Sequence, residues 1–123
     1  MKIGLVTITF NSADVLPDFL DSVAKQTYQN FCLYVVDNAS SDNTIEEYEL
    51  RKKENYHLIP NNDNFGVAAG NNQGIRKALS EDCDFVLLIN NDTVFEEKLL
   101  QKLIDAHYQY GSSIITPKMM YHD

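Results

Sequence analysis

The sequence predicts an α/β fold: a mainly parallel sheet covered on both faces, a Rossmann-like three-layer α/β/α arrangement. Hydrophobic runs of strand length alternate with segments of helical period along the whole chain. Those runs are nearly continuous in apolar residues, as in strands covered on both faces. The 123 residues, 44% hydrophobic and 23% charged, fit a single globular domain or a piece of one.

The first strand is Ile3 to Thr9, largely β-branched and uninterrupted by charge. Asn11-Ser12 offers an N-cap for the first helix, with Pro17 in its early part. Val15, Leu16, Phe19, Leu20 and Val23 form its apolar stripe. Phe31 to Val36 reads as the second strand, closing on Asp37. Ser41 or Asp42 caps a second helix reaching about residue 53, where Glu46 and Glu47 suit the positive end of the helix dipole. A short third strand, Tyr56 to Ile59, is expected to stop at Pro60, and Gly66 to Leu79 has helical character. Phe85 to Ile89 is the strongest strand signal and stops at Asn90-Asn91-Asp92. A fourth helix spans Glu96 to about Tyr110, with Leu99, Leu100, Leu103, Ile104 and Tyr108 on its apolar side. Residues 112–116 read as a fifth strand, stopped by Pro117. Right-handed crossovers between parallel strands complete the expected architecture.

Charge narrows the function. Ten Lys+Arg against 18 Asp+Glu give a net charge of −8, with no long basic run. A nucleic-acid or anionic-membrane surface needs concentrated positive charge, so neither is expected. An anionic small ligand needs help from a metal ion or from backbone N–H groups. No apolar segment approaches the ~20 residues of a membrane-spanning helix, and Met1-Lys2 leads straight into the first strand without a cleavage site. Cys32 and Cys83 lack metal-ligand spacing and are expected as small buried hydrophobes in a reducing compartment.

Ligands of open α/β sheets bind beyond the carboxyl ends of the strands. Asn crowds those ends: Asn11, Asn38, Asn61, Asn62, Asn64, Asn90 and Asn91, out of 12 in the chain. Turn and cap chemistry accounts for many short amides, but less well for their concentration on one side of the sheet. Asp92 follows the fourth strand run, where it either caps the next helix or ligates Mg²⁺ or Mn²⁺. Asn90, two residues earlier, projects to the same side of an extended chain. Asp37 either forms an Asx turn into its helix or accepts hydrogen bonds from a nucleobase or ribose. Gly66, Gly70 and Gly74 start the third helix, for close packing against the sheet or close approach of a ligand. Neither G-x-G-x-x-G nor a Walker loop is present.

Five segments, in order, resemble the donor-binding half of the inverting family-2 glycosyltransferases of GT-A fold. Val6-Thr7-Ile8-Thr9-Phe10-Asn11 is similar to the family's strand-one pattern P-T-Y-N, and Ser22-Val23-Ala24-Lys25-Gln26-Thr27-Tyr28 to its S-l-x-x-Q-t-y helix end. Residues 35–44 resemble v-v-D-n-x-S-x-D-x-T, residues 64–74 resemble N-x-G-f-a-x-x-x-N-x-G, and Asn90-Asn91-Asp92 occupies the place of the DxD metal motif. The resemblance implies transfer of a sugar from a nucleoside-diphosphate sugar to a hydroxyl of a saccharide or lipid-linked saccharide, with inversion. It makes Thr7, Thr9, Asn11, Asp37, Asn38, Asn64, Gly66, Asn71, Asn72, Asn90 and Asn91 the expected donor-binding residues. Within that set Asp37 reads the base, and Asp92 holds a divalent cation, Mg²⁺ or Mn²⁺. The acidic composition and the lack of a signal sequence point to the cytoplasmic side, and the resemblance allows attachment at the inner face of the membrane through other parts of such proteins.

Two departures stand out. Asn90 replaces the first DxD carboxylate, and Asn71 replaces an Arg common in the family. Both resemble the rhamnosyltransferase-type members, associated with deoxythymidine-diphosphate sugars. The family's general base is supplied after the matched region; Asp105 and Asp123 are the nearest carboxylates and neither carries a motif. Residues 1–123 are therefore expected to be the donor-binding part, without the acceptor-binding part. Two alternatives are a non-catalytic nucleotide-sugar-binding module and a phospho-receiver domain. The latter needs an acidic pair after the first strand and an Asp after the third, where Thr9-Phe10-Asn11 and Ile59-Pro60-Asn61 stand instead.

Overall fold

A computed structural model describes residues 1–111. Four strands alternate with four helices: β1 (Ile3–Thr9), α1 (Leu16–Ala24), β2 (Phe31–Asn38), α2 (Thr44–Arg51), β3 (Tyr56–Asn61), α3 (Gly66–Ser80), β4 (Phe85–Leu88) and α4 (Leu99–Tyr110). The expected strand at 112–116 lies outside the described residues.

All pairings are parallel and the strand order is β3-β2-β1-β4. β1 pairs with β2 from Ile3↔Phe31 to Thr9↔Asp37 and with β4 from Ile3↔Phe85 to Val6↔Leu88. The order reverses between β1 and β4: the chain first winds outward to β3, then crosses back through α3 to the far side of β1.

Alternation along the strands divides the core between the two faces. Ile3 and Leu5 of β1 and Leu33 and Val35 of β2 pack with Leu16, Phe19, Leu20 and Val23 of α1, Tyr48 of α2, and Leu100 and Ile104 of α4. Val6 and Tyr34 point the other way, onto Ala78 of α3 and Cys83. Close approach of α3 is built in at its glycines. A Cβ on Gly74 would meet Val6 Cγ1 at 2.3 Å, and one on Gly70 would meet Ile8 Cδ1 at 2.9 Å. Helix–sheet packing thus accounts for Gly74, where a Cβ would collide with Val6, and it brings Gly70 against Ile8.

Several element ends differ from expectation, each for a local reason. Asn11 and Ser12 do not cap α1. Asn11 is left-handed (φ 50°) and its Oδ1 accepts from the amides of Ser41 and Asp42, while Ser12 Oγ accepts from Phe10 N–H. The helix begins four residues after Ser12, at Leu16, with Pro17 in its first turn and Val15 exposed. Pro60 does not end β3: on an edge strand its missing N–H is tolerated, and pairing continues to Asn38↔Asn61. α2 ends at Arg51 rather than near residue 53, and α4 starts at Leu99 rather than Glu96. Tyr108, expected on the apolar side of α4, is 68% exposed. Cys83 is buried, Cys32 is half-buried, and both are free thiols.

Candidate nucleotide-sugar site

The reversal of strand order between β1 and β4 places a crevice at their carboxyl ends, where open α/β sheets bind ligands. A cleft of about 1070 Å³ opens there, lined by Asn11 and Ser12 after β1, Val67 and Asn71 of α3, and Asn90, Asn91 and Asp92 after β4. The walls are partly apolar, through Ile8, Val15, Leu88 and Val94.

Asp37, the penultimate residue of β2, has only 1% of its surface exposed and connects to the cleft through Ser40, whose Oγ accepts from the N–H of cleft-lining Asn11. Its Oδ1 accepts from Thr9 Oγ1 at 2.6 Å and from Ser40 Oγ at 2.6 Å, and its Oδ2 accepts from Ser40 N–H at 3.0 Å. Three donors compensate the burial of this carboxylate. The Asp37 side chain does bond its own downstream backbone, but to the N–H three residues on rather than the two of an Asx turn, and α2 begins only at Thr44. A carboxylate has about four acceptor positions, and the three bonds given for Asp37 fill two on Oδ1 and one on Oδ2.

The loops after β1 and β2 are laced together around it. Asn11 N–H donates to Ser40 Oγ at 2.9 Å, and Ser12 N–H to Thr44 Oγ1 at 2.8 Å. Asp42 accepts from Ala13 N–H at 3.2 Å and from Thr44 N–H at 3.0 Å. Burial works to raise the Asp42 carboxyl, but the bonds from Thr44 and Ala13 outweigh it and hold the group below its ordinary value. Thr9 was among the expected site residues, and Ser40 and Thr44 fall in the segment 35–44 that resembles the family; what the sequence did not show is that Ser40 and Thr44 bond across to the loop after β1.

Other expected site residues turn inward. Thr7 and Asn91 are both buried and bond to each other: Asn91 Nδ2 donates to Thr7 Oγ1 at 3.1 Å and to Ile8 O at 2.6 Å. Asn38 donates to Gly66 O at 3.1 Å and accepts from Asn61 Nδ2 at 2.9 Å. Asn61 also exchanges a reciprocal pair of 2.8 Å bonds with Gln73 of α3. Asn64 Oδ1 receives Gly66 N–H at 2.9 Å at the start of α3, where Gly66 takes φ 86°. Asn72 is exposed and lies away from the cleft lining, whereas Asn71 lies on it.

Residues 90–93 are not the extended chain expected. β4 ends at Leu88, and Thr93 Oγ1 donates back to Asn90 O at 2.7 Å, closing a turn with Asp92 exposed at its tip. Asp92 does not cap α4, which begins seven residues later with Lys98 at its N-cap. Among the described residues no group of three or more His, Cys, Asp and Glu is placed to hold a metal. Asp92 and the Asn90 amide supply hard oxygen donors, which suit Mg²⁺ or Mn²⁺ but fill only part of their coordination. That donor set fits a cation held jointly with ligand phosphates, not one caged by protein. Glu96, the other carboxylate lining the cleft, is paired with Lys102 at 2.5 Å.

An open parallel sheet with a crevice at the reversal of strand order defines an α/β domain of the doubly wound type, in which ligands bind at that crevice. Comparison with known proteins makes the class specific. The family model described as Glycosyl transferase family 2 matches residues 5–123. Poly-beta-1,6-N-acetyl-D-glucosamine synthase of Staphylococcus aureus (strain MSSA476) is 28% identical over 89 residues, covering 72% of this chain and 21% of that protein. Glycosyltransferase GlyG of Streptococcus pneumoniae is 23% identical over 115 residues, covering 92% of this chain and 37% of that protein. The crystal structure of S. aureus TarS 1-349 in complex with UDP-GlcNAc is 25% identical, with a TM-score of 0.78 over 90% of this chain and 32% of that one. The mannosyltransferase PcManGT from Pyrobaculum calidifontis, solved with GDP-Man and Mn²⁺, shares the fold at 23% identity and TM-score 0.67, over 76% of this chain and 28% of that one. The chain belongs to glycosyl transferase family 2. It spans between 21% and 37% of the length of these two curated relatives.

No helix among the described residues is long and apolar enough to cross a membrane.

Proposed function

We propose that residues 1–123 form the donor-binding part of a glycosyltransferase that moves a sugar from a nucleoside-diphosphate sugar to an acceptor hydroxyl with inversion. One observation carries this reading. In a chain of this family, the Asn90–Asp92 turn lines the crevice at the reversal of strand order together with Asn11, whose N–H is bonded to the Ser40 hydroxyl that also donates to Asp37.

Asp37 accepts a hydrogen bond from the nucleobase or ribose, with Thr9 and Ser40 fixing the carboxylate. Asn11 and Asn71 line the same cleft as Asp92. Asp92, assisted by the Asn90 amide, holds Mg²⁺ or Mn²⁺ against the donor diphosphate. The cation, when bound, supplies positive charge to the departing nucleoside diphosphate. A chain with net charge −8 otherwise repels a diphosphate. Thr7, Asn38, Asn64 and Asn91 support the rim through the bonds they make within the protein.

We place the general base and the acceptor-binding part outside residues 1–123, in keeping with the share of the relatives that this chain spans. Asp105 is exposed on α4, accepts from Gln101 at 3.0 Å and is not among the residues lining the cleft. The acceptor is a saccharide or lipid-linked saccharide, met at the cytoplasmic face of the membrane. Two donor classes compete. TarS was solved with UDP-GlcNAc, and the Asn71 and Asn90 departures favour a deoxythymidine-diphosphate sugar.

Calorimetric titration with UDP-GlcNAc, a deoxythymidine-diphosphate sugar and GDP-mannose, each with and without Mn²⁺, tests the reading. Saturable binding of one class, strengthened by metal, is expected. Absence of binding by all three overturns it, and sugar transfer by residues 1–123 alone overturns the placement of the base.

A further inference from the structure

Asp92 sits on a turn whose own bonds do not fix it to the rest of the fold. On its N-terminal side, the Asn91 side chain anchors the turn to β1. On its C-terminal side, residues 95–100 run along the end of α1 and are gripped by two α1-end side chains. Gln26 has 1% of its surface exposed and Ser22 has 7%. Gln26 Nε2 donates to Glu96 O at 2.7 Å and to Ser22 O at 3.2 Å, while Gln26 Oε1 accepts from Leu100 N–H at 3.1 Å. Ser22 Oγ accepts from Phe95 N–H at 3.3 Å, and Thr27 N–H donates to Glu97 O at 2.9 Å. Phe95 meets Phe19 of α1 edge-on, ring centres 5.9 Å apart.

These contacts have a particular chemistry. The N-cap of α4, Lys98, makes no side-chain capping bond, and the first turn of a helix leaves its N–H groups without intrahelical acceptors. Gln26, just beyond the C-cap of α1, supplies the missing acceptor and at the same time ties down a carbonyl four residues earlier. One buried amide therefore fixes both the start of α4 and the end of the segment that follows Asp92.

We propose that Gln26 and Ser22 are positioning residues for Asp92. They clamp residues 95–100 as Asn91 clamps the other side, so that the span between the clamps is short enough to present the carboxylate to a metal-bound diphosphate in one place. The proposal rests on the donor-binding reading given above for its consequence, though not for the clamp itself.

The test uses Ser22→Ala, Gln26→Ala and the near-isosteric Gln26→Glu in the full chain. Gln26→Glu keeps an acceptor for Leu100 N–H but loses the donor to Glu96 O. Amide hydrogen exchange should rise at least tenfold over residues 90–100 in Ser22→Ala and Gln26→Ala, with β1 and β2 amides unchanged. Gln26→Glu should fall between these and the parent. Affinity for UDP and dTDP with Mn²⁺ should drop about tenfold, while affinity for uridine and thymidine, which lack phosphates, stays constant. Unchanged exchange over 90–100, or equal loss of nucleoside and diphosphate affinity, overturns the proposal. If Gln26→Ala fails to fold, Ser22→Ala alone decides it. Should the parent bind no nucleotide, the donor-binding reading fails, and exchange still decides whether the clamp holds the turn.

Discussion

Thr9 and Asp37 face each other in register on β1 and β2, and the Thr9 hydroxyl donates to Asp37 Oδ1 across 2.6 Å. Neither side chain is exposed by more than 1%. The bond couples the carboxyl ends of β1 and β2 and orients a carboxylate to which Ser40 also donates. Thr9→Val keeps the shape and removes one charge-assisted bond, which should cost about 1.5–3 kcal/mol. Urea unfolding measures that loss. Asp37→Asn turns one acceptor into a donor facing Thr9 or Ser40, so nucleoside affinity should fall with stability. A nucleoside titration of Asp37→Asn that matches the parent would separate Asp37 from base recognition.

The glycines of α3 are a packing device, and their substitution tests it. Gly74→Ala would set a Cβ 2.3 Å from Val6 Cγ1 and 3.0 Å from Cγ2, on a β-branched side chain with little freedom to move. A loss of about 1–3 kcal/mol is expected, partly recovered when Val6→Ala is added. Gly66→Ala meets no atom within 4 Å, and its cost comes from φ 86° alone, about 1–2 kcal/mol. Thermal unfolding of the three variants checks the contrast, because only the Gly74 effect should depend on Val6.

Tyr56 presents the opposite case, a group whose removal should help. Its hydroxyl is buried without a hydrogen-bond partner among the described residues, and burial pushes the phenol up to about 12. Tyr56→Phe keeps the ring in the core beside Leu33 and removes the unpaired oxygen. Stability should hold or rise by up to about 1–3 kcal/mol, read from the denaturant midpoint. A clear loss would mean that the hydroxyl is bonded in solution.

Acid should weaken the fold through two carboxylates. Glu81 is held below its ordinary value of 4.5, first by the Tyr34 hydroxyl at 2.7 Å and then, against burial, by the charges of His57, Lys77 and Lys2. Asp42 is likewise held below 3.8: its hydrogen bonds outweigh burial. A depressed folded value stabilises the protein fully above the unfolded value and loses that stabilisation as pH falls through the folded one. Unfolding free energy should therefore decline below about pH 4.5. The decline should be shallower in Glu81→Gln and in Asp42→Asn. Parallel profiles in parent and variants would contradict this.

The strands, their parallel sense and the helix on each crossover were legible because apolar runs of two periods alternate so cleanly. Edge position was not, and it explains why β3 continues through Pro60. The segments that approach the crevice were legible as well, since every one of them follows a strand. Which way each amide points was less so. Asn91, adjacent to Asp92, turns into the sheet to meet Thr7, while Asn71 lies on the cleft. An Asn has the same chemistry in either place, and only the partner across 84 residues distinguishes them. Gln26 is similar: its sequence motif was visible, but its bonds to Glu96 and Leu100 are long-range.

The central claim is that Asp37 and Asp92 recognise two parts of one ligand, the base side and the diphosphate side. It is tested most directly by measuring dissociation constants of a nucleoside and its diphosphate, uridine with UDP and thymidine with dTDP, in the presence of Mn²⁺, for the parent, Asp37→Ala and Asp92→Asn. Asp37→Ala should weaken nucleoside and diphosphate alike. Asp92→Asn should leave the nucleoside unchanged and abolish the gain that Mn²⁺ gives the diphosphate. Equal Mn²⁺-dependent gains in the parent and in Asp92→Asn would contradict the account.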